Sequence, residues 1–443
     1  MEKWKKEREF SLKISILEGS ISAISGAIIH QGFFLQSFII FLNGPDFWIS
    51  ILPNSQFIFS FLGLLSGYYL TRVGERKKSA IFTNTIYRCI FILPAISLLV
   101  FGPSQTTLSI FIISTLISFL FFRFLMVIWM RWMDLLVFEE TRGRYLGIRK
   151  TFTTFFLLVG FLVGGYTVEY FLRLGKGEIG FFVIFTIVAL VGVISSWLYS
   201  YQFDIKTKTQ KIRFGEFLTL ALSSIKVHKL RGIVVFFALF EGVSAIGVPF
   251  IPVQILKGFG LSTEYLGIQF SIYAISMTIS SYFWGIVLDK FGPRSVLQFS
   301  TLGLCLTISL WFFIPKELWF VLSFGEPFLS GIFSGGYESV FMYVIFSEVR
   351  QKFKDYFFSV VSAINGFSIL LGSVISAVIV TLLGDMNLFV LYKHFRVYEL
   401  LFLLTLIGRL ITSIFLVPQI KYKRNVKNAF DLVKVTLSKV FQG

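Results

Sequence analysis

The amino-acid sequence predicts an all-α membrane protein with twelve transmembrane helices, arranged as two six-helix bundles related by pseudo-twofold symmetry. Its 443 residues are 55% hydrophobic and 15% charged, whereas soluble domains carry about 25% charged residues. Apolar runs of roughly 20 residues recur along the chain without the alternation of β-barrel strands, which indicates helices that cross a bilayer. Matching motifs lie half a chain apart, which indicates that one bundle duplicates the other.

Six predicted spans make up the first half of the chain. Gly44-Pro45 ends the first span and Gly102-Pro103 ends the third, because glycine accepts a tight turn and proline cannot continue a helix. The predicted spans of this half are 14–42, 47–70, 80–101, 108–137, 151–172 and 179–201. We expect residues 1–202 to form the N-terminal bundle.

The second half repeats this pattern after a basic linker at 203–230, which contains an amphipathic segment. Its predicted spans are 232–256, 265–288, 296–314, 319–346, 357–383 and 398–416. We expect residues 231–420 to form the C-terminal bundle. Residues 421–443 form a basic amphipathic tail that resembles the linker in composition.

Basic residues outnumber acidic ones, 41 to 24, which gives a net charge of +17. Most of the Lys and Arg residues lie in the N-terminus and in alternate loops, and this asymmetry predicts a cell-membrane protein with both termini in the cytoplasm. A nucleic-acid-binding face is excluded, because the charge is not clustered on one folded domain. We expect the linker and the tail to bind anionic lipid headgroups.

The sequence carries no signature of enzyme chemistry. Cys89 and Cys305 lie within apolar spans, without the spacing of a disulfide framework or a metal site. There is no Gly-rich phosphate loop of the Lys-Ser/Thr type and no His/Cys cluster. We therefore expect a monomer without enzymatic activity, cofactor or metal.

The first recurring motif ends an apolar span in charge, and its two copies are 67–76 and 285–294. Each copy reads Gly, three residues, Thr or Asp, a basic residue, any residue, Gly, one residue and Arg. The glycines allow tight turns, and the basic residues can satisfy carbonyls at a helix C-terminus. The motif residues singled out are Gly67, Arg72, Gly74, Arg76, Gly285, Asp289, Lys290, Gly292 and Arg294.

Two further landmarks recur in the same order. Glu18-Gly19 in the first span matches Glu241-Gly242 in the seventh span. The acidic and basic residues after the fourth span match those after the tenth span. These residues are Glu140, Arg142, Glu348 and Arg350. Three landmarks at similar offsets indicate a duplication.

This pattern resembles that of the major facilitator superfamily, in which the motif follows the second and eighth helices. The resemblance covers the whole chain, and it implies twelve helices that give alternating access to a central site. It also implies that the motif residues latch the two halves together at the cytoplasmic end. The acidic partners would be Glu348 in the second half and Asp134, Glu139 or Glu140 in the first.

The first motif copy departs from the family pattern. Thr71 stands where an Asp is usual, and Glu75 stands where a basic residue is common. A threonine can cap a helix, but it cannot supply a negative charge. The resemblance therefore implies a weaker latch in the first half.

Ionisable residues inside the spans are the candidates for function, because each costs about 2.5–3.5 kcal/mol at a helix centre. Glu18 lies on a polar stripe with Ser15, Ser22 and Ser25 at helical spacing, which predicts that this face avoids lipid. Ser330, Ser334 and Glu338 form a similar stripe in the tenth span.

The resemblance implies that the first, fourth, seventh and tenth helices line a central cavity. Glu18, Glu241 and Glu338 would then be proton carriers or ligands of a cationic group, and the alternative is a permanently paired structural carboxylate. Arg123 would bind an anionic substrate or serve as the counter-ion of Glu241. For Arg88 and Arg409 the expected role is snorkelling or helix packing, since their helices are peripheral in the family.

Taken together, these observations predict a secondary transporter that moves a small organic solute, driven by protons. A proton-coupled multidrug efflux protein is the alternative within the same class. Gly160, Gly164 and Gly165 partly resemble the Gly-Pro signature of drug–proton antiporters, but the Pro is absent. A sensor or scaffold of the same fold is the alternative from a different class.

Overall fold

The computed structural model describes residues 2–30, 33–61, 65, 68–69, 76–137, 142–204, 213–225, 228–313, 316–348, 354–384, 387–390 and 393–420. Contacts within the chain divide it into two compact units. Unit 1 contains Met1–Leu218 and Pro252–Ser271, and unit 2 contains Thr219–Ile251 and Ile272–Gly443. The tail at 421–443 and the linker residues 205–212 lie outside the described part.

The first half of the sequence forms long helices that begin and end near the predicted turns. These are α1 (Glu2–Ile29), α2 (Phe33–Phe41), α3 (Asp46–Ile58), α4 (Lys77–Cys89), α5 (Ile92–Phe101), α6 (Gln105–Leu136), α7 (Arg142–Arg173) and α8 (Gly177–Tyr201). A 3-10 turn at Phe59–Phe61 follows α3. The amphipathic segment of the linker forms α9 (Phe214–Ile225), and the Phe217 side chain of this helix is buried.

The second half of the sequence contains helices interrupted by irregular turns. These are α10 (His228–Gly247), α11 (Thr263–Phe291), α12 (Pro293–Phe313), α13 (Glu326–Glu348), α14 (Lys354–Leu383) and α15 (Val397–Ile411). Short helical turns at Val248–Phe250, Ile251–Val253 and Gln254–Gly258 extend α10. A 3-10 turn at Lys316–Leu318 follows α12, and another at Val417–Gln419 ends the described chain. Single π-turns precede α13 at Val321–Gly325 and follow α15 at Thr412–Leu416.

Three details differ from the sequence prediction. The predicted first span is divided into α1 and α2. A two-stranded antiparallel hairpin, β1 (Asn387–Val390) and β2 (Lys393–Arg396), stands before α15, so the chain is not purely helical. Within the described residues, ten helices are long and apolar enough to cross a membrane, and the second and tenth predicted spans are not among them.

Glycines set the closest helix contacts inside each unit. In unit 1, a Cβ on Gly160 of α7 would lie 2.8 Å from the Ala27 side chain of α1. In unit 2, a Cβ on Gly242 of α10 would lie 2.9 Å from the Ser368 carbonyl oxygen of α14. The first helix of each sequence half therefore packs closely against the fifth, as small residues allow in membrane proteins.

The N-terminal segment of α1 completes the end of α6. Arg8 Nε donates to the Leu136 carbonyl oxygen at 3.0 Å, and the second guanidinium nitrogen donates to Leu135 at 2.9 Å. The last carbonyls of a helix have no partner within the helix, and a cation near them is favourable. Nearby, the backbone N–H of Phe203 donates to Ser11 Oγ at 2.7 Å. These contacts fix one end of unit 1.

The other end of unit 1 is completed by residues 252–271, which come from the second half of the sequence. The Thr263 backbone N–H and hydroxyl each donate to Glu169 at 3.0 Å. Arg173 contacts Glu169 at 3.1 Å and Glu264 at 3.0 Å. At a second point, Lys257 Nζ lies 2.7 Å from the Asp46 carboxylate. Unit 1 is thus built from two separate stretches of chain.

We predict that Gly242→Ala lowers the free energy of unfolding by about 1–3 kcal/mol, because the added methyl would overlap the Ser368 backbone. Thermal and denaturant unfolding of the purified protein in detergent measures this loss. The matched control is Gly232→Ala in the same helix, since a Cβ there has no neighbour within 4 Å. Equal effects of the two substitutions would contradict the role given to Gly242.

Candidate functional site

Glu18 is the centre of a buried polar cluster in unit 1. The residue is 1% exposed, and one carboxylate oxygen accepts hydrogen bonds from Ser22 at 2.5 Å and from Ser195 of α8 at 2.7 Å. Its other oxygen lies 3.6 Å from the Arg149 guanidinium of α7. Gly19 leaves room for this arginine, since a Cβ there would lie 2.5 Å from the guanidinium. The Glu18-Gly19 pair thus supplies both the anion and the space for its cation.

The cluster continues from Ser195 to a second buried arginine. Asn84 of α4 donates to Ser195 at 3.2 Å and to Ser196 at 2.8 Å. Arg88, one turn further along α4, donates to the Asn84 side-chain oxygen and to Ser25 of α1 at 2.9 Å. Arg88 is buried, so of the two expected roles, snorkelling and helix packing, the structure fits helix packing. Hydrogen-bonded groups thus link Glu18 with two arginines.

Glu241 occupies the matching place in unit 2. Its carboxylate accepts a hydrogen bond from the Tyr337 hydroxyl of α13 at 2.9 Å. One turn further along α10, Ser244 accepts from Arg409 Nε at 2.9 Å, and the Leu304 carbonyl of α12 accepts from another nitrogen of Arg409 at 2.9 Å. Arg409 is also buried, and its bonds to two other helices fit the helix-packing role rather than snorkelling. Each sequence half thus begins with a Glu-Gly helix whose serine bonds a buried arginine.

Close packing of α15 against α10 fixes the position of Arg409. A Cβ on Gly408 would lie 2.3 Å from the Val243 side chain, and a Cβ on Gly247 would lie 2.8 Å from the Leu401 carbonyl. The guanidinium also lies over the Phe240 ring, 5.3 Å from its centroid, a favourable cation–π geometry. The arginine is therefore held against the helix that carries Glu241.

Glu326, at the start of α13, was not predicted as a functional residue. It is 5% exposed and accepts a hydrogen bond from Ser330 at 2.5 Å. Ser330 belongs to the predicted polar stripe of the tenth span, but the stripe continues to Glu326, four residues earlier. That i, i+4 spacing of serine and glutamate was the sequence signal that could have revealed it.

The remaining two candidates lie in different surroundings. Arg123 of α6 donates to the Gln56 carbonyl oxygen at 2.8 Å and lies over the Phe57 ring, within unit 1. Glu338 of α13 is exposed. The structure therefore brings Glu241 together with Tyr337 inside unit 2, and Glu338, which follows Tyr337 in the sequence, is exposed.

The predicted latch falls largely outside the described residues. Gly67, Arg72, Gly74, Glu140 and Arg350 are not described, and the side chains of Asp134, Arg142, Asp289 and Glu348 are not described either. Arg76 is buried, whereas Gly285, Lys290 and Arg294 are exposed. Gly292 turns the chain between α11 and α12 with a φ of 79°, a conformation that favours glycine. The latch stays a prediction.

These clusters can hold and release charge within the membrane. A carboxylate with hydrogen-bond donors and an arginine nearby is stabilised in its ionised form, and it becomes neutral by binding one proton. The serine and tyrosine hydroxyls can donate to a carboxylate or accept from a carboxylic acid. Proton binding at Glu18 would therefore change the pairing of Arg149 on a neighbouring helix, and proton binding at Glu241 would change its hydrogen bond with Tyr337.

We predict that Glu18→Gln destabilises the protein by about 3–5 kcal/mol, because it leaves the partly buried Arg149 without its anion. The Glu18→Gln/Arg149→Gln double variant should lose less free energy of unfolding than the sum of the losses in the two single variants. Lys257→Gln is the matched control, since it breaks an exposed ion pair worth less than about 1 kcal/mol. Additive losses in the double variant would contradict a direct pairing of Glu18 with Arg149.

Comparison with solved structures shows a shared fold. A mutant of the nucleoside transporter NupG has a TM-score of 0.69 at 14% identity, over 93% of this chain and 100% of that chain. A D-xylose–proton symporter has a TM-score of 0.64 at 13% identity, over 91% and 97%. The xylose transporter XylE from E. coli has a TM-score of 0.62 at 14% identity, over 92% and 97%.

Comparison of sequences gives a shorter match. Over 92 residues the chain is 29% identical to the multi-drug resistance efflux pump PmrA in two strains of Streptococcus pneumoniae. The match covers 20% of this chain and 22% of each pump, so the chain matches about a fifth of the length of these curated relatives. The sequence model described as Major Facilitator Superfamily matches residues 239–441. The chain thus shares the fold of these solved transporters, and the greater part of its second half matches the major facilitator superfamily.

Proposed function

We propose that the protein is a secondary transporter that moves a small organic solute by alternating access and couples this movement to protons. The observation that carries the proposal is the pair of carboxyl groups at Glu18 and Glu241. Each stands on the first helix of its sequence half, in a polar cluster with a neighbouring helix. Ionisable groups inside membrane helices mark ion and substrate pathways.

The proton is the coupling ion of this proposal because both clusters contain groups that suit it. A hydroxyl bonds each carboxyl, Arg149 lies 3.6 Å from Glu18, and Arg409 bonds the serine one turn from Glu241. Neutralisation of a carboxylate requires one proton. The D-xylose–proton symporter, which shares the fold, supports this choice. A nucleoside or a sugar is the first solute class to test, since transporters of both kinds share the fold.

The finer architecture belongs to the same proposal. We infer twelve spans in two bundles with pseudo-twofold symmetry, in a cell-membrane protein with both termini in the cytoplasm. The linker and the tail would bind anionic lipid headgroups, and the protein would act as a monomer. In this arrangement one bundle would rock against the other around a central site.

Multidrug efflux is the second candidate function. The match to an efflux pump supports it, and so does a groove of about 500 Å³ between α11 and α13 in unit 2. The groove is lined almost entirely by apolar side chains, among them Phe283, Phe328 and Ile279. An apolar concave surface with few polar groups suits lipophilic molecules.

Flux through proteoliposomes under an imposed pH gradient tests the proposal. Labelled uridine and labelled D-xylose are the probes for solute transport, and the cationic dye ethidium is the probe for efflux. We expect flux of one probe above that of protein-free liposomes, with loss of the driving force when a protonophore is added. A pH-driven ethidium flux alone would favour the efflux function, and absence of flux for a broad solute panel would favour a sensor or scaffold.

We predict that Glu241→Gln abolishes accumulation driven by the pH gradient but keeps exchange of labelled for unlabelled solute. Glutamine cannot bind or release the proton. Exchange requires only that the solute-loaded protein change the side to which its site opens, and this step does not require release of the proton. Glu216→Gln is the control, because this carboxyl is exposed on α9 outside the spans. Accumulation that persists in Glu241→Gln would contradict the coupling role of Glu241.

A further inference from the structure

The contacts that complete unit 1 join α7, from the first half of the sequence, to the start of α11, from the second half. One oxygen of Glu169 accepts hydrogen bonds from both the backbone N–H and the hydroxyl of Thr263, at 3.0 Å each. Its other oxygen pairs with Arg173 at 3.1 Å, and Arg173 also lies 3.0 Å from Glu264. The first N–H groups of a helix have no partner within the helix. Glu169 therefore caps a helix that belongs to the other half of the sequence.

Two glycines bring α7 and α11 into backbone contact beside this cap. A Cβ on Gly165 of α7 would lie 3.1 Å from the Thr263 carbonyl oxygen. A Cβ on Gly267 of α11 would lie 2.7 Å from the Phe161 carbonyl oxygen. Neither position accepts a larger residue without displacement of its neighbour, which is typical of close helix contacts in membranes. The two helices are thus closed against each other over the first turn of α11.

Aromatic rings continue the contact along the same face of α11. The centroid of the Phe270 ring lies 4.9 Å from that of Phe33 in α2 and 5.7 Å from that of Phe161 in α7. Phe33 and Phe161 are fully buried. Ser271 stands one turn beyond Gly267 on this face, and it is 6% exposed. The first two turns of α11 are therefore packed against helices from the first half of the sequence.

The helix α11 is continuous, although contacts within the chain divide it between the two units. Its first part, up to Ser271, belongs to unit 1, and its remainder, from Ile272, belongs to unit 2. The sequence of α11 contains no proline, and sharp kinks in helices arise mostly at prolines and π-bulges. The two parts therefore move together. Any movement of unit 2 relative to unit 1 must pull the first two turns of α11 away from α7.

We propose that the cap of Glu169 on the first turn of α11 is the gate that closes this end of the transporter. The gate rests on the proposed function, because alternating access requires the two sequence halves to separate at one end at a time. With both termini in the cytoplasm, as proposed above, this end opens to the outside. Glu169 sets the fraction of molecules in which the end is open.

The chemistry of the cap suits a contact that is strong but can be released. Hydrogen bonds to a carboxylate are stronger than those to a neutral acceptor, and Glu169 accepts two of them from Thr263. Arg173 is on α7 itself, so Glu169 keeps this cation when α11 leaves. Because Thr263 begins its helix and Glu169 lies in the last turns of α7, water can replace both partners at the helix ends. The ion pair between Arg173 and Glu264 contributes less, since the Arg173 side chain is 62% exposed.

Alkylation of a cysteine at position 271 measures the opening of the gate without a substrate. Ser271→Cys is combined with Cys89→Ala and Cys305→Ala, and the full-length protein in lipid nanodiscs is treated with a membrane-impermeant maleimide. The rate of alkylation follows the fraction of molecules in which this position is exposed. We expect Glu169→Ala to raise the rate by about tenfold or more, because two hydrogen bonds to a charged acceptor are lost. Glu169→Gln should raise it less, since the amide oxygen can still accept both bonds.

Two controls separate the gate from a general loss of structure. Glu178→Gln alters an acidic residue in the first turn of α8, which follows α7 directly, and it should leave the rate unchanged. Cys305 of unit 2 is buried, and in a chain with Cys89→Ala and the natural Ser271 its alkylation should stay slow in Glu169→Ala. An equal rise at Cys305 would indicate unfolding and would overturn the gate.

A milder variant keeps the test valid if Glu169→Ala does not fold. Thr263→Val removes the hydroxyl bond and keeps the backbone bond to Glu169, so the rate at position 271 should rise by a few fold. An unchanged rate in Glu169→Ala, or in Thr263→Val where Glu169→Ala does not fold, would overturn the proposal. A rise of the same size in Glu178→Gln would do so as well.

The two proposals fail in different measurements. If Glu169→Ala raises the alkylation rate at position 271 but no probe moves under a pH gradient, the gate stands and the transport function fails. If pH-driven flux is observed while Glu169→Ala changes neither the alkylation rate nor the flux, the transport function stands and the gate is wrong.

Discussion

Ionisable side chains within apolar helices must find their partners inside the protein, because hydrocarbon offers no hydrogen bonds. This constraint explains the strongest contacts of both units. Glu18 is reached by donors from α8 and a cation from α7, and Arg409 is reached by acceptors from α10 and α12. Long side chains can span only a few ångströms, so the helices that carry the partners must pack closely.

Glycines satisfy this requirement at the same places where the charges lie. Gly19 follows Glu18 and makes room for Arg149, and Gly408 precedes Arg409 and brings α15 against α10. Small residues are thus not only a packing feature of these helices. The two glycines determine which polar group each arginine can reach. A bulkier residue at Gly19 or at Gly408 would separate Arg149 or Arg409 from its partner.

The sequence predicted long apolar helices, and ten described helices fit that prediction, because hydropathy carries this information directly. The duplication stays a prediction. The sequence did not predict the partners of Glu18 and Glu241. The rotation of a fully apolar helix is not encoded by its own hydropathy, so the choice between snorkelling and helix packing stayed open for Arg88 and Arg409, both of which are buried. Glu326 was missed for a similar reason, since its place near the end of a predicted span resembles an interfacial position.

Residues 252–271 illustrate how the order of the chain and the order of assembly differ. Asp46, Glu169 and Arg173 are synthesised long before Lys257, Thr263 and Glu264, the residues that they contact. A ribosome-bound chain that has delivered only its first half therefore exposes acidic groups without these donors. Unit 1 can form these contacts only after the seventh predicted span has been synthesised and inserted. Insertion of a span from the second half is therefore required to complete the unit that the first half begins.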